Sequence, residues 1–505
     1  MGSSFISSVA IIGLTGVSVQ IEADHAFGLP RTTIVGLPDA AISEARDRVK
    51  SAIKNSGFSY PPHVVTINLA PADVKKYGPG FDLPIAIAIL LATGVLEPAH
   101  VENIVFLGEL GLHGDIRPIR GALLAAQVAA RAGGKTLVVP TANADEAAVI
   151  ADVQVHAAHS LRDLICALQG RTLAICKHTP WNPTFVATGH NNFADIRGQQ
   201  ATKRALEIAA AGGHNALIFG PPGSGKTLLA RALPGILPPL SYDESLAVTG
   251  IHSLYAAAGT YRGLMTERPF RAPHHGASAS ALVGGGTIPR PGEVSLAHRG
   301  ILFLDELPEF SKHVLEALRQ PLEDGVVTIS RAAGSIEFPA QTTLIAALNP
   351  CPCGYFGTDR ACTCTDRMRM LYLRKISGPL LDRIDLAIHA RALSPLELTQ
   401  TPTSESSEAI RERVIQAQGF CHERGQKRRN ADLQGKEIVE IVKLTREAEQ
   451  MLQGAMTHLQ LSGRGYHRTL RVARTIADLA KSDATTELHV AEALSYRLPK
   501  TLLTP

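Results

Sequence analysis

Short apolar runs alternate along the chain with longer segments in which apolar residues return every three or four positions, a pattern that predicts strands interleaved with helices. Val17-Ser-Val-Gln-Ile21, Thr33-Ile-Val35 and His63-Val-Val-Thr-Ile-Asn68 predict strands around a helix near residues 40–55. Ala216-Leu-Ile-Phe219, Ile301-Leu-Phe-Leu304 and Leu344-Ile-Ala-Ala-Leu348 are continuously apolar, as strands of a buried parallel sheet are. Val326–Arg331 and Ile336–Phe338 flank a Gly-containing turn and read as a hairpin. Beyond about residue 392 the pattern turns helical, over 408–423, 435–452 and 464–480, with Leu470, Ala473, Ile476 and Ala477 on one face. The fold class expected is α/β.

The run at 216–219 leads into Gly220-Pro-Pro-Gly-Ser-Gly-Lys226-Thr227 and then a helical stretch from Leu228. A Gly-rich turn between strand and helix points successive backbone N–H groups inward, and the helix N-terminus adds partial positive charge. The nucleotide-binding residues expected are therefore Gly220, Pro221, Pro222, Gly223, Ser224, Gly225, Lys226, Thr227 and Leu228. Lys226 would reach the phosphates, and Thr227 would coordinate Mg²⁺. The run at 301–304 ends in Asp305 and Glu306, where the first acid would hold Mg²⁺ through water and the second would polarise the attacking water.

Cys351, Cys353, Cys362 and Cys364 form two Cys-x-Cys pairs with turns between them. Four thiolates complete a tetrahedral zinc site. The pairs are tighter than the usual Cys-x-x-Cys knuckle, and four reduced, metal-free thiols remain the alternative. His274 and His275 are adjacent on a loop with no third ligand nearby, so they read as polar loop residues.

Asn349 closes the third apolar run, and Gly378-Pro-Leu-Leu-Asp-Arg383-Ile-Asp385 follows it. In this order the elements resemble an AAA+ P-loop ATPase. The insert at 261–300 and the hairpin resemble those of the magnesium-chelatase and MCM-type branch. The resemblance implies that Asn349 is sensor 1 and that Arg383 is an arginine finger reaching a neighbouring subunit's ATP. It implies sensor 2 at Arg471, with Arg468 and Arg474 one turn to either side. Without the motif, Arg383 would read as a surface ion pair with Asp382 or Asp385.

Gly36-Leu-Pro-Asp39, Asn68-Leu-Ala-Pro-Ala-Asp73, Gly78-Pro-Gly80 and Gly114-Asp-Ile-Arg-Pro-Ile119 resemble the Lon-protease-like domain, an α+β fold like domain 2 of ribosomal protein S5. Gly80 stands where active members carry serine, and no lysine occurs between Gly114 and Arg131. The resemblance implies a retained fold without peptidase chemistry.

Together these stretches resemble the YifB/ComM family over nearly the whole chain. They imply a Lon-like domain at 1–170, a Pro- and Asn-rich linker at 171–192, an AAA+ large subdomain at 193–392 and a helical lid at 393–505. The resemblance implies a hexameric ring that uses ATP and Mg²⁺ as a DNA helicase, and a cytoplasmic location is expected because the sequence shows neither a signal peptide nor a bilayer-spanning run. Its task would be branch migration in homologous recombination during natural transformation, with single-stranded and branched DNA and recombination proteins as partners. Arg268, Arg271, Arg290 and Arg331, in the insert and hairpin, are the expected phosphate contacts. The alternative is an ATP-driven protein remodeller of the magnesium-chelatase type.

Composition constrains this picture only loosely. With 505 residues, 45% hydrophobic and 19% charged, the chain suits roughly three globular domains. A formal net charge of +4 permits nucleic-acid contact without arguing for it. The longest apolar run, Leu83–Leu96, is too short to span a bilayer. The first residues lack a basic n-region, so no signal peptide is expected. Three scattered cysteines beside one cluster suit a reducing compartment.

Overall fold

The alternating N-terminal runs pair into a mixed seven-stranded sheet. Its strands are β1 (Ile6–Ile12), β2 (Thr15–Ala26), β3 (Arg31–Val35), β4 (Val64–Ala70), β5 (Ile104–Phe106), β6 (Thr136–Pro140) and β7 (Gln154–Ala158), in the order β3-β4-β2-β1-β5-β6-β7. β1, β2 and β4 are antiparallel neighbours, and β5 to β7 run parallel. The apolar run at 83–96 becomes a core helix, Asp82–Ala92, buried from Asp82 through Leu91. It carries almost no polar face because the packing leaves none of it to solvent.

The computed structural model describes residues 5–499, apart from 134–135, 179–180, 182–190, 261–262, 287–288, 332–333, 395–396 and 398–404, and leaves the side chains of 331 and 334 undescribed. Half of the segment read as a linker, 171–192, therefore lies outside the described residues. The chain forms two units, one of Met1–Pro183, Ser241–Met265 and Ser330–Phe338, the other of Thr184–Leu240, Thr266–Ile329 and Pro339–Pro505. The first unit thus includes the helix Tyr242–Tyr255, held by its Ser253 hydroxyl, which accepts from the Gly121 N–H at 3.1 Å and donates to Glu146.

The second unit is built on a five-stranded parallel sheet. β8 (Ala216–Phe219), β9 (Phe270–Arg271), β10 (Ile301–Leu304), β13 (Thr343–Leu348) and β14 (Leu386–His389) lie in the order β9-β10-β13-β8-β14. Val326–Arg331 and Gly334–Pro339, β11 and β12, pair as a separate two-stranded sheet. Every residue of β10 and β13 is buried. The C-terminal helices share this core: Ile410, Val414, Leu452, Leu470, Ala473 and Ile476 pack in one cluster with Ile218, Phe303 and Ile345. The segment expected as one helix over 435–452 is two, Lys436–Val442 and Arg446–Leu459, because Lys443 takes a left-handed conformation (φ 45°) and Thr445 caps the second helix. Among the described residues no helix is long and apolar enough to cross a membrane.

Candidate nucleotide site and cysteine cluster

In a parallel sheet every strand delivers its last residue to the same edge, which is where open α/β sheets bind ligands. β8 ends in the glycine-rich loop, β10 in Asp305 and Glu306, and β13 in Asn349. β13 lies between β8 and β10, and so Asn349 is set between Lys226 and the two acids.

The loop backbone explains its glycines. A side chain at Gly220 would sit 2.0 Å from the Ala390 carbonyl oxygen, and Gly225 takes φ +82° immediately before the helix Lys226–Ala232. The Lys226 ammonium donates to the Gly220 and Pro221 carbonyls at 2.9 and 2.8 Å and to Asn349 Oδ1 at 3.0 Å. Burial lowers its pKa from the ordinary lysine value, against the pull of Asp305 and Glu306. An amine so placed gains from any anion that enters the loop.

Thr227 Oγ1 donates to Asp305 Oδ2 at 2.7 Å, and Asp305 Oδ1 accepts from the Glu306 N–H at 2.9 Å. One hydroxyl and one carboxylate thus converge beside the phosphate loop, an oxygen donor set that would suit Mg²⁺. Glu306 stands at φ +51°, a left-handed conformation uncommon outside glycine and suggestive of a functional constraint. Its carboxylate lies 3.4 Å from His275 Nδ1. His275 therefore has a neighbour that its sequence position did not reveal. Leu228 is 42% exposed at the start of the helix. Ser224 Oγ is buried without a partner, while its carbonyl accepts from Gln199 Nε2 at 3.1 Å. Gln199 also donates to the Arg391 carbonyl at 2.6 Å, bracing the loop from φ +56°. Reading motifs along the chain missed it. Its one sequence signal is a polar residue beside Gly198, just ahead of an amphipathic helix.

The arginines sort into two groups. Arg383 and Arg471 line a pocket of about 690 Å³ at the opposite end of the sheet. There Asn215, just before β8, donates through Nδ2 to the Arg383 carbonyl at 3.0 Å, and Asp385 immediately precedes β14. A strand of four residues puts this end roughly 13 Å from the chain's own phosphate loop. Arg383 donates to the Pro379 carbonyl at 2.8 Å and pairs with Glu323. Neither acid considered from sequence is its partner: Asp382 pairs with Arg464, and Asp385 with His214. Arg471 donates to the Ala431 carbonyl at 2.8 Å and keeps a buried Nε with no partner among the described residues. Arg468 donates to the Asp382 carbonyl at 2.7 Å. Arg474 is fully buried on Asp478 and the Asp483 carbonyl, which leaves its guanidinium occupied.

Two of the four expected DNA contacts are spent inside the fold. Arg268 donates to the carbonyls of Pro238, Pro239 and Arg299, and Arg271 makes a bidentate pair with Glu293 at 2.6 and 2.8 Å. Glu293, from within the insert, folds back onto β9 to meet Arg271. Arg290 is exposed, whereas the Arg331 side chain lies outside the described residues.

The sulfurs of Cys351, Cys353, Cys362 and Cys364 all lie within 4.8 Å of one another. Three separations are 3.4, 3.7 and 3.6 Å, near the edge of about 3.8 Å that a tetrahedron with 2.3 Å zinc–sulfur bonds requires. Backbone N–H groups of Phe356 and Cys353 point at the sulfurs of Cys351 and Cys364, each at 3.4 Å. Donors of this kind favour the thiolate form that binds metal.

Comparison with known proteins follows the same architecture. The chain matches the magnesium chelatase subunit ChlI family over residues 192–398, its ChlI relative over 21–143 and the ChlI C-terminal family over 404–497. It is 44% identical to competence protein ComM of Haemophilus influenzae across 100% of this chain and 99% of that protein. It is 43% identical to the uncharacterized protein YifB of Escherichia coli across 100% of this chain and 98% of that one. A magnesium-chelatase 38 kDa subunit of Cereibacter sphaeroides is 29% identical over 31% of this chain and 52% of its own length.

Proposed function

The chain belongs to the YifB/ComM family of magnesium-chelatase-like proteins, and from that premise we propose that it is a ring-forming, Mg²⁺-dependent ATPase that moves DNA. The observation that carries the ATPase reading is the convergence of Lys226, Asn349, Thr227 and Asp305 at one sheet edge. ATP phosphates entering the loop take the Lys226 ammonium from the Gly220 and Pro221 carbonyls. Thr227 and, through water, Asp305 would hold Mg²⁺, which would supply positive charge to the phosphates. Asn349 and Glu306 then orient and polarise the attacking water.

Arg383 and Arg471 stand a strand's length from this loop, too far to serve their own chain's nucleotide. They supply the neighbour's site instead, so hydrolysis requires a ring, with six subunits the expected number. An arginine acting in trans is worth 10³ to 10⁵ in rate in related phosphoryl-transfer systems. Within the first unit, Gly80 at the serine position and the absence of a lysine between Gly114 and Arg131 support a Lon-like domain that carries no peptidase chemistry. The four cysteines form a structural zinc site in this reading.

DNA is the preferred substrate because the full-length match includes a protein named for competence. Arg290 and Arg331, in the insert and hairpin, are the remaining phosphate-contact candidates, and branch migration during recombination of incoming DNA is the task. The experiment is ATP turnover with and without single-stranded and branched DNA. Stimulation that weakens steeply with salt is expected. The matches to chelatase subunits favour a second reading, a protein remodeller, which gains if no DNA changes turnover.

A further inference from the structure

No helix or strand orders the stretch between Pro350 and Thr365, and half of its residues are exposed. An irregular loop of this length needs a staple or a function. Its neighbours show what such a staple would hold. Cys351 follows Asn349 by two positions, and Asn349 accepts from Lys226. Gly354, at φ +85°, packs so tightly on the phosphate loop that a side chain there would lie 2.5 Å from Pro222 Cγ. Cys364 directly precedes Thr365, which caps the helix Asp366–Leu373. That helix carries Tyr372, whose hydroxyl meets the Asn349 backbone N–H. It also carries Arg369, stacked 3.9 Å over the Phe356 ring. One further short helix, Gly378–Leu381, leads to Arg383, which is anchored on the Pro379 carbonyl.

We infer that the four cysteines hold one zinc ion as a strut tying the phosphate loop and Asn349 to the helices that carry Arg383, so that zinc occupancy sets the turnover of two sites. One site is the chain's own, through Asn349 and Pro222. The other is the neighbour's, through Arg383. The role assigned to Arg383 rests on the ring-ATPase reading, whereas the metal site rests on the sulfur geometry alone. The strut acts by position: no sulfur touches the nucleotide.

The test uses full-length protein purified without a metal-binding tag. Elemental analysis should find one zinc per chain, and zero zinc in reduced protein overturns the site. The double variant Cys353→Ser, Cys362→Ser should lose the metal and keep its far-UV circular dichroism. It should show a KM for ATP within about 3-fold of wild type while kcat falls at least about 10-fold, because Asn349 and Arg383 act on turnover more than on binding. Cys362→His, which preserves a four-ligand nitrogen–sulfur site, should restore both zinc and kcat. A zinc-free variant with wild-type kcat overturns the coupling, as does a zinc-bound Cys362→His protein that stays slow. Wild-type protein that binds zinc but hydrolyses no ATP contradicts the ATPase reading and leaves the metal site standing.

Discussion

In the proposed function Lys226 and Glu306 would occupy different stations along the phosphate chain, and their variants should separate accordingly. Lys226→Ala removes the buried ammonium that meets the phosphates, so binding of a fluorescent ATP analogue should weaken at least about 10-fold. Glu306→Gln keeps the loop and the magnesium ligands, so binding should persist while turnover falls about 100-fold or more. A second residue-level test concerns Asp385. Burial pushes its pKa up, but the hydrogen bond from His214 and the charges of Arg471 and Arg468 outweigh it and hold the carboxyl below its usual value. A depressed carboxylate pKa contributes stability above the unfolded value and loses it as pH falls through the folded one. The advantage of wild type over Asp385→Asn in thermal melts should therefore shrink between about pH 5 and pH 3. At this scale the sequence spoke clearly where one contiguous motif carries the chemistry, as in 220–227 and 305–306. It was silent where partners lie far apart along the chain, as with Gln199 and Ser224, or His275 and Glu306. Counting arginines in the insert likewise could not foresee that backbone carbonyls absorb Arg268 and Glu293 absorbs Arg271.

Among the elements, the buried strands were the most legible, because parallel strands covered on both faces leave uninterrupted apolar runs. The break at Lys443 was not legible, since a single left-handed residue leaves the apolar period almost intact. The contact between the cysteine loop and the phosphate loop was hidden for a different reason. Gly354 and Pro222 are ordinary turn residues until the fold brings them together. Gly354→Ala tests that contact: the new methyl meets Pro222 and must also adopt φ +85°. ATP affinity should fall several-fold while bound zinc, read by elemental analysis, stays unchanged.

For the whole molecule, the sheet's two ends set the logic. The phosphate loop, both acids and Asn349 occupy the C-terminal edge, while Arg383 and Arg471 occupy the other. In the function proposed here, such a chain would hold most of one active site and the remainder of another, and a closed ring of head-to-tail contacts would complete every site. The order of motifs singled out Arg383, and the sheet's polarity is what sets it about a strand's length from its own phosphate loop. The most direct measurement mixes two inactive proteins, Arg383→Ala and Glu306→Gln, and follows ATP turnover. In a random one-to-one mixture roughly one interface in four pairs an intact Glu306 with a neighbour's intact Arg383, so turnover should return to a comparable fraction of wild type and should vanish on dilution. Arg383→Ala protein that hydrolyses ATP at the wild-type rate on its own, or wild-type monomers that hydrolyse at full rate when diluted, would contradict the account.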